Sequence, residues 1–142
     1  KEEEKEILRG QISLNKQTIS PVIKPQDIIH AREVVKEVYI DSKIENYITD
    51  IVFATRFPEE YGMNNLKSFI SYGASPRATI NLALASRALA FIKRRGYVIP
   101  EDVREVCLDV LRHRIGLTYE AEAENIKSED IATEIVNKID VP

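Results

Sequence analysis

The sequence has few of the residues that mark specialised classes of protein. Among its 142 residues it has one cysteine, no tryptophan, five glycines and six prolines. The single Cys107 excludes an intramolecular disulfide and a cysteine-rich zinc site within one chain. We therefore expect a reducing, cytoplasmic location. No apolar run approaches the roughly 18 residues that indicate a membrane span, so none is predicted.

Acidic residues are unevenly distributed along the chain. The 20 basic and 23 acidic residues give a net charge of −3, which argues against a protein that coats nucleic acid. Residues 61–100 nevertheless contain no Asp or Glu, although they carry six Lys and Arg residues. Residues 118–142 carry seven acids and two lysines. We expect the central part of the chain to attract anions and the last part not to attract them.

The length fits one domain, and apolar residues recur at helical spacing through most of it. The first six residues are charged and lack a starting Met, which matches neither a signal peptide nor a natural start, so we expect a part of a longer chain. Strand signals are few. The sequence predicts an all-α fold, a small helical bundle with short extended links. Its roughly five main helices begin at Pro25, Ser42, Ser75, Pro100 and Ser128.

Capping and breaking residues set the expected ends of these helices. Ser42 with Glu45 has the spacing of a capping box, and Pro58 is expected to end that helix. Gly96 and Gly116 are expected to end the next two helices. Residues 59–73 are expected to form a loop with one helical turn, and residues 119–124 a short helix.

Two of the predicted helices carry informative apolar patterns. The helix from Ser75 is apolar on most sides, which predicts a central position in the bundle. The helix from Pro100 has one apolar stripe that includes Cys107, so this thiol is expected to lie in the core.

A candidate anion site lies at residues 73–78, with the sequence Gly-Ala-Ser-Pro-Arg-Ala. Ser75 is the expected N-cap and Pro76 the first helical residue, which puts Arg77 in the first turn. A cation there is unfavourable by about 0.3 to 1 kcal/mol, because the start of a helix is partly positive. A bound phosphate or carboxylate would reverse that sign, and Asn81 could add a polar contact one turn later. A solvent-facing arginine beside an ordinary cap explains the same residues.

Other candidate sites have simpler explanations. His30 and His113 lack a second ligand at metal-binding spacing, so no metal site is predicted. The acidic series at residues 120, 122 and 124 is typical of a solvated face. The basic run at residues 93–95 suits the end of a helix.

Several segments occur in an order typical of one family. They are SPVIKP at 20–25, VYID at 38–41, YITDIVFATR at 47–56, GASPRA at 73–78, RALA at 87–90, YVIPEDV at 97–103 and VLRHRI at 110–115. Together they resemble the C-terminal lid domain of the MoxR family of AAA+ ATPases. The resemblance implies that residues 20–142 form the helical lid. Residues 1–19 would be the end of the large AAA+ domain and a linker.

The resemblance also implies a function for the anion site. Arg77 would be the sensor 2 arginine, which reaches over ATP and Mg²⁺ bound mainly by the large domain. Gly73, Ala74, Ser75 and Pro76 would shape the turn. The resemblance implies that the partners are ATP, the large domain, neighbouring subunits of a hexameric ring, and a protein with a von Willebrand factor A domain. The chain alone is expected not to hydrolyse ATP.

Two alternatives remain open at the level of sequence. The first is a non-enzymatic helical module that docks a protein through its basic side or its acidic tail. The second is nucleic-acid binding by the helix that carries Arg87 to Arg95, which the negative net charge disfavours.

Overall fold

The structure is a computed structural model that describes residues 1–12 and 20–142. Backbone contacts divide the chain into two compact units, Lys1–Ala31 and Arg32–Pro142. The start of the helical domain at residue 20 stays a prediction. No helix in the described ranges is long and apolar enough to cross a membrane.

The described residues form seven α-helices and a small antiparallel sheet of two strands. The helices are α1 Glu2–Ile12, α2 Pro25–Glu37, α3 Ser42–Ala54, α4 Pro76–Ile92, α5 Pro100–Leu111, α6 Tyr119–Ala123 and α7 Ser128–Lys138. The strands are β1 Ile70–Tyr72 and β2 Gly116–Leu117. The all-α class is confirmed, and α6 confirms the short helix expected at 119–124. Strands this short carry too few residues for an alternating pattern to be recognised in sequence.

The core of the second unit is built from α3, α4, α5 and α7. Helix α4 packs against α3 and α5, while α5 and α3 both pack against α7. The predicted stripe of α5 is confirmed, because Cys107 is fully buried. Burial raises the pKa of the Cys107 thiol to about 12, so it stays protonated at neutral pH.

Helix α4 packs against both α3 and α5, as expected of a central helix, but only one of its stripes is fully buried. Its buried residues are Ala78, Leu82, Ser86 and Ala90, which follow one another at intervals of four. Ile80 is 59% exposed and lies on another face. Mostly small residues on the buried stripe allow neighbouring helices to approach closely, and one such stripe suffices to attach the helix.

Two predicted limits of α3 are wrong. Asp41, not Ser42, caps α3, because its carboxylate accepts a hydrogen bond of 2.9 Å from the Lys43 N–H. Helix α3 then ends at Ala54, and Pro58 begins a 3-10 helix that is followed by a second one at Asn64–Leu66. The expected loop at 59–73 therefore consists of these two turns and β1.

The glycines expected to end α4 and α5 have other roles. Arg94, with a φ of 59°, takes the left-handed conformation expected of Gly96. The N–H of Arg95 then donates to the Ala90 carbonyl and closes the helix end. Gly116 lies in β2, where a Cβ would collide with the ring of Tyr72.

Helices α2, α5 and α7 start without a capping hydroxyl and use an aspartate three residues after the N-cap position. The carboxylates of Asp27, Asp102 and Asp130 accept hydrogen bonds from the backbone N–H groups of Lys24, Ile99 and Lys127, at 2.8, 3.1 and 2.9 Å. This is one half of a capping box. It satisfies an N–H group that would otherwise lack a partner.

Asp102 also connects the end of α4 to the start of α5. Its buried carboxylate receives two hydrogen bonds from the Arg95 guanidinium, one of 2.7 Å, and lies 3.7 Å from Lys93 Nζ. Burial alone acts to raise the pKa of Asp102. The bonds from Arg95 and Ile99 outweigh burial, so the pKa lies below its usual 3.8.

We predict that Asp102→Asn lowers the free energy of unfolding by about 2 kcal/mol, less than for a fully buried pair because Arg95 is 22% exposed. Urea unfolding at pH 7 measures the loss. The pKa of Asp102 is lower in the folded state than the usual 3.8, so the carboxylate stabilises the fold above pH 3.8. This stabilisation is lost as the pH falls through the pKa of the folded state. The difference between wild type and variant should therefore shrink in that acidic range.

The exposed pair Asp109 and Arg112 provides the matched control. The side chain of Asp109 is 74% exposed and that of Arg112 is 49% exposed. Asp109→Asn should change stability little, since exposed pairs contribute little. Equal losses in the two variants would contradict a special role for Asp102.

Candidate functional site

The turn that joins β1 to α4 has the predicted helix start but not the predicted capping bond. Ser75 occupies the N-cap position with φ of −77° and ψ of 167°, and Pro76 is the first helical residue. The Ser75 side chain makes no capping hydrogen bond. The Ala78 N–H donates to the Ser75 carbonyl at 2.8 Å. The Ser75 hydroxyl therefore does not mask the positive end of α4.

Thr55 anchors this turn to the end of α3, a role that the sequence did not predict. Its side chain is fully buried, and its Oγ1 accepts a hydrogen bond of 2.8 Å from the Ala74 N–H. The same hydroxyl donates to the Val52 carbonyl at 2.6 Å. A threonine just after an apolar helix end is the only sequence signal, because its partner lies 19 residues away.

The close approach of the turn to the end of α3 also requires a glycine at position 73. A Cβ on this residue would overlap the Thr55 carbonyl and would lie 2.7 Å from Cγ of Arg56. The adjoining Ala74 and, in α4, Ala78 are fully buried. The chain can therefore pass this close to the end of α3 only with small residues in the turn.

Arg77 follows this rigid turn and is exposed. Its guanidinium makes no hydrogen bond or ion pair with any residue in the described ranges. By contrast, Arg95 is held by Asp102, and Arg104 donates to the Val136 carbonyl at 2.7 Å. Arg77 is thus accessible at the positive end of α4.

The other sequence candidates are not gathered into a site. Within the described part of the chain, no three His, Cys, Asp or Glu residues could together hold a metal ion. The basic run at 93–95 is partly neutralised, because Lys93 pairs with Glu105 and Arg95 with Asp102. His30 and His113 are both exposed.

We predict that Thr55→Val lowers the free energy of unfolding by about 2 kcal/mol, because the buried Ala74 N–H then loses its acceptor. Thr55→Ser, which keeps the hydroxyl, should retain most of the stability. Urea unfolding followed by circular dichroism measures both. Thr49→Val is the matched control, since the Thr49 hydroxyl is exposed and bonds only within α3, to the Glu45 carbonyl. A loss at Thr49 as large as that at Thr55 would contradict the anchoring role.

Comparison with known proteins gives a consistent result. Residues 64–135 match the family model described as the AAA lid domain. Chaperone MoxR1 of Mycobacterium tuberculosis is 38% identical over 141 residues, which cover 99% of this chain and 37% of that protein. Protein MoxR of Paracoccus denitrificans is 36% identical over 79 residues, which cover 53% of this chain and 23% of that protein.

A solved structure agrees over the whole chain. The crystal structure of a "putative ATPase" from Cytophaga hutchinsonii is 43% identical and matches with a TM-score of 0.92. The match covers 100% of this chain and 43% of that one. The chain thus spans about two fifths of the relatives that it matches throughout its length. The predicted resemblance is confirmed: this chain belongs to the AAA lid domain family, as the C-terminal lid of a MoxR-type AAA+ protein.

Proposed function

We propose that this chain is the lid of an ATP-hydrolysing, chaperone-like motor and that Arg77 is its sensor 2 arginine. One observation carries the proposal: an exposed guanidinium, without a partner among the described residues, stands in the first turn of α4. The large domain would hold most of the nucleotide and its Mg²⁺. Gly73 to Pro76 would form the surface of the lid that approaches them.

The charges of this region fit a polyphosphate. The start of α4 is partly positive, and residues 61–100 contain no carboxylate that could neutralise Arg77. A guanidinium presents a planar fork of donors that suits phosphate oxygens. When bound, ATP with Mg²⁺ supplies the phosphoryl group that is transferred. Arg77 would bind its phosphates and stabilise the charge that develops on them.

The link between α3 and α4 would make Arg77 respond to movement of the whole lid. Thr55 and Gly73 tie the turn to the core, so Arg77 would move with the lid as a rigid body during closure. Residues 20–142 would form this lid, with residues 1–19 completing the large domain and linker. By family resemblance the motor would be a cytoplasmic ring, of six subunits, that works with a von Willebrand factor A domain protein.

A groove between α3 and α4 favours the second candidate function, a module that binds another protein. It has a volume of about 360 Å³, and Ile80 and Leu84 on its wall are 59% and 51% exposed. Exposed aliphatic side chains of this kind are typical of docking surfaces. This function requires no contribution of Arg77 to ATP turnover, so one experiment separates the two candidates.

We predict that Arg77→Ala in the complete protein lowers kcat/KM for ATP by about tenfold or more, equivalent to about 1.4 kcal/mol or more of transition-state stabilisation. A steady-state ATPase assay with Mg²⁺ measures the change. Arg112→Ala is the matched control, because Arg112 is also exposed but already pairs with Asp109. It should leave turnover unchanged.

Two results would contradict the proposal. The first is unchanged turnover in a folded Arg77→Ala protein, which would favour the docking module. The second is Mg²⁺-dependent ATP hydrolysis by the 142-residue chain alone, since this chain is proposed to contribute an arginine to a site formed mainly elsewhere.

A further inference from the structure

A second arginine lies beside the turn that leads to Arg77. In the described part of the chain, Arg56, Arg87 and Arg114 each have a buried Nε atom without a hydrogen-bond partner. A buried donor without an acceptor is costly, so such groups call for an explanation. Of the three, Arg56 packs against the turn, because its Cγ would be 2.7 Å from a Cβ on Gly73.

The guanidinium of Arg56 is held by aromatic rings. Its central carbon lies 4.5 Å from the ring centroid of Phe53 and 6.0 Å from that of Phe57. The two rings lie 5.2 Å apart and are 37% and 40% exposed. Stacking of this kind satisfies the faces of a guanidinium and restricts its motion, but it leaves the in-plane N–H donors without acceptors.

The neighbouring carboxylates have other partners. Asp50 accepts a hydrogen bond of 3.0 Å from the Tyr61 hydroxyl, and Glu59 lies 2.6 Å from Lys67 Nζ. Within the ranges that the structure describes, Arg56 forms no ion pair. The buried Nε cannot be reached from outside, but the charge of Arg56 and its terminal Nη1 and Nη2 donors, which form no hydrogen bond among the described residues, are available to an anion from outside this chain.

We propose that Arg56 is a second phosphate-binding arginine of the nucleotide site, acting together with Arg77 next to the Gly73 to Pro76 turn. This inference rests on the proposed function. Phe53 and Phe57 hold the Arg56 guanidinium before the nucleotide arrives, so less side-chain entropy is lost on binding than for a free arginine. The nucleotide phosphate would supply acceptors for the terminal Nη1 and Nη2 donors, which have none among the described residues.

The test uses Arg56→Met in the complete protein, because methionine keeps an unbranched stem against Gly73 and the rings but removes the charge. Competition with a fluorescent nucleotide measures the affinities for MgADP and for adenosine, which lacks phosphate. We expect MgADP to bind about tenfold more weakly, as for loss of one charged contact, and adenosine to bind as before. Arg112→Met is the matched control and should change neither affinity.

The outcomes separate this inference from the proposed function. Unchanged MgADP affinity in Arg56→Met, together with weakened affinity in Arg77→Ala, overturns the role of Arg56 alone. Unchanged affinity in both variants overturns the proposed function as well. Equal losses for MgADP and adenosine also overturn the phosphate contact, since they indicate a distorted lid.

If Arg56→Met unfolds below the assay temperature, a less disruptive variant provides the test. Arg56→Lys keeps the charge and the stem but lacks the planar fork. Weaker MgADP binding by Arg56→Lys at an unchanged melting temperature supports the proposal. Wild-type affinity in this variant overturns the need for a guanidinium.

Discussion

The buried hydroxyl of Thr55 is the contact on which the candidate site depends. It accepts from the Ala74 N–H and donates to the Val52 carbonyl, so it joins the end of α3 to the turn before α4. Gly73 allows the backbone to pass close enough for this bond to form. A hydrogen bond and a steric requirement, both inside the core, thus fix the position from which Arg77 reaches the surface.

An arginine lies near each end of α4, and the two arginines differ in whether a carboxylate of this chain pairs with them. At its C-terminal end, Arg95 is fixed by the buried carboxylate of Asp102, which also satisfies the N–H of Ile99 at the start of α5. At its N-terminal end, Arg77 has no such partner among the described residues. One arginine therefore stabilises the bundle, while the other is free to bind an anion outside it. The presence or absence of a nearby carboxylate thus distinguishes an arginine that stabilises the fold from one that is proposed to bind a ligand.

The proposed roles of Arg77 and Arg56 follow from the same electrostatic argument. Each arginine is close to the turn at residues 73–76 and lacks a counter-ion in the described part of the chain. Arg77 projects from a helix start, whereas Arg56 is preoriented by stacked rings. A polyphosphate would relieve the unfavourable charge of the first and provide acceptors for the second. The family resemblance implies that a nucleotide would lie next to the lid. The charges and contacts of the lid single out Arg77 and Arg56 as the residues that would bind it.

The sequence by itself determined the helical class, the core position of Cys107 and the place of Arg77 at the start of a helix. Periodicity, proline and the Gly-Ala-Ser-Pro-Arg-Ala segment are local signals, so they could be read without coordinates. Only the tertiary structure decided that Thr55 anchors the turn, that Arg94 rather than Gly96 ends α4, and that Arg56 lies against Gly73. The contacts of Thr55 and Arg56 join residues distant in sequence, and the conformation of Arg94 is not marked by a glycine. No pattern within a single helix encodes such contacts.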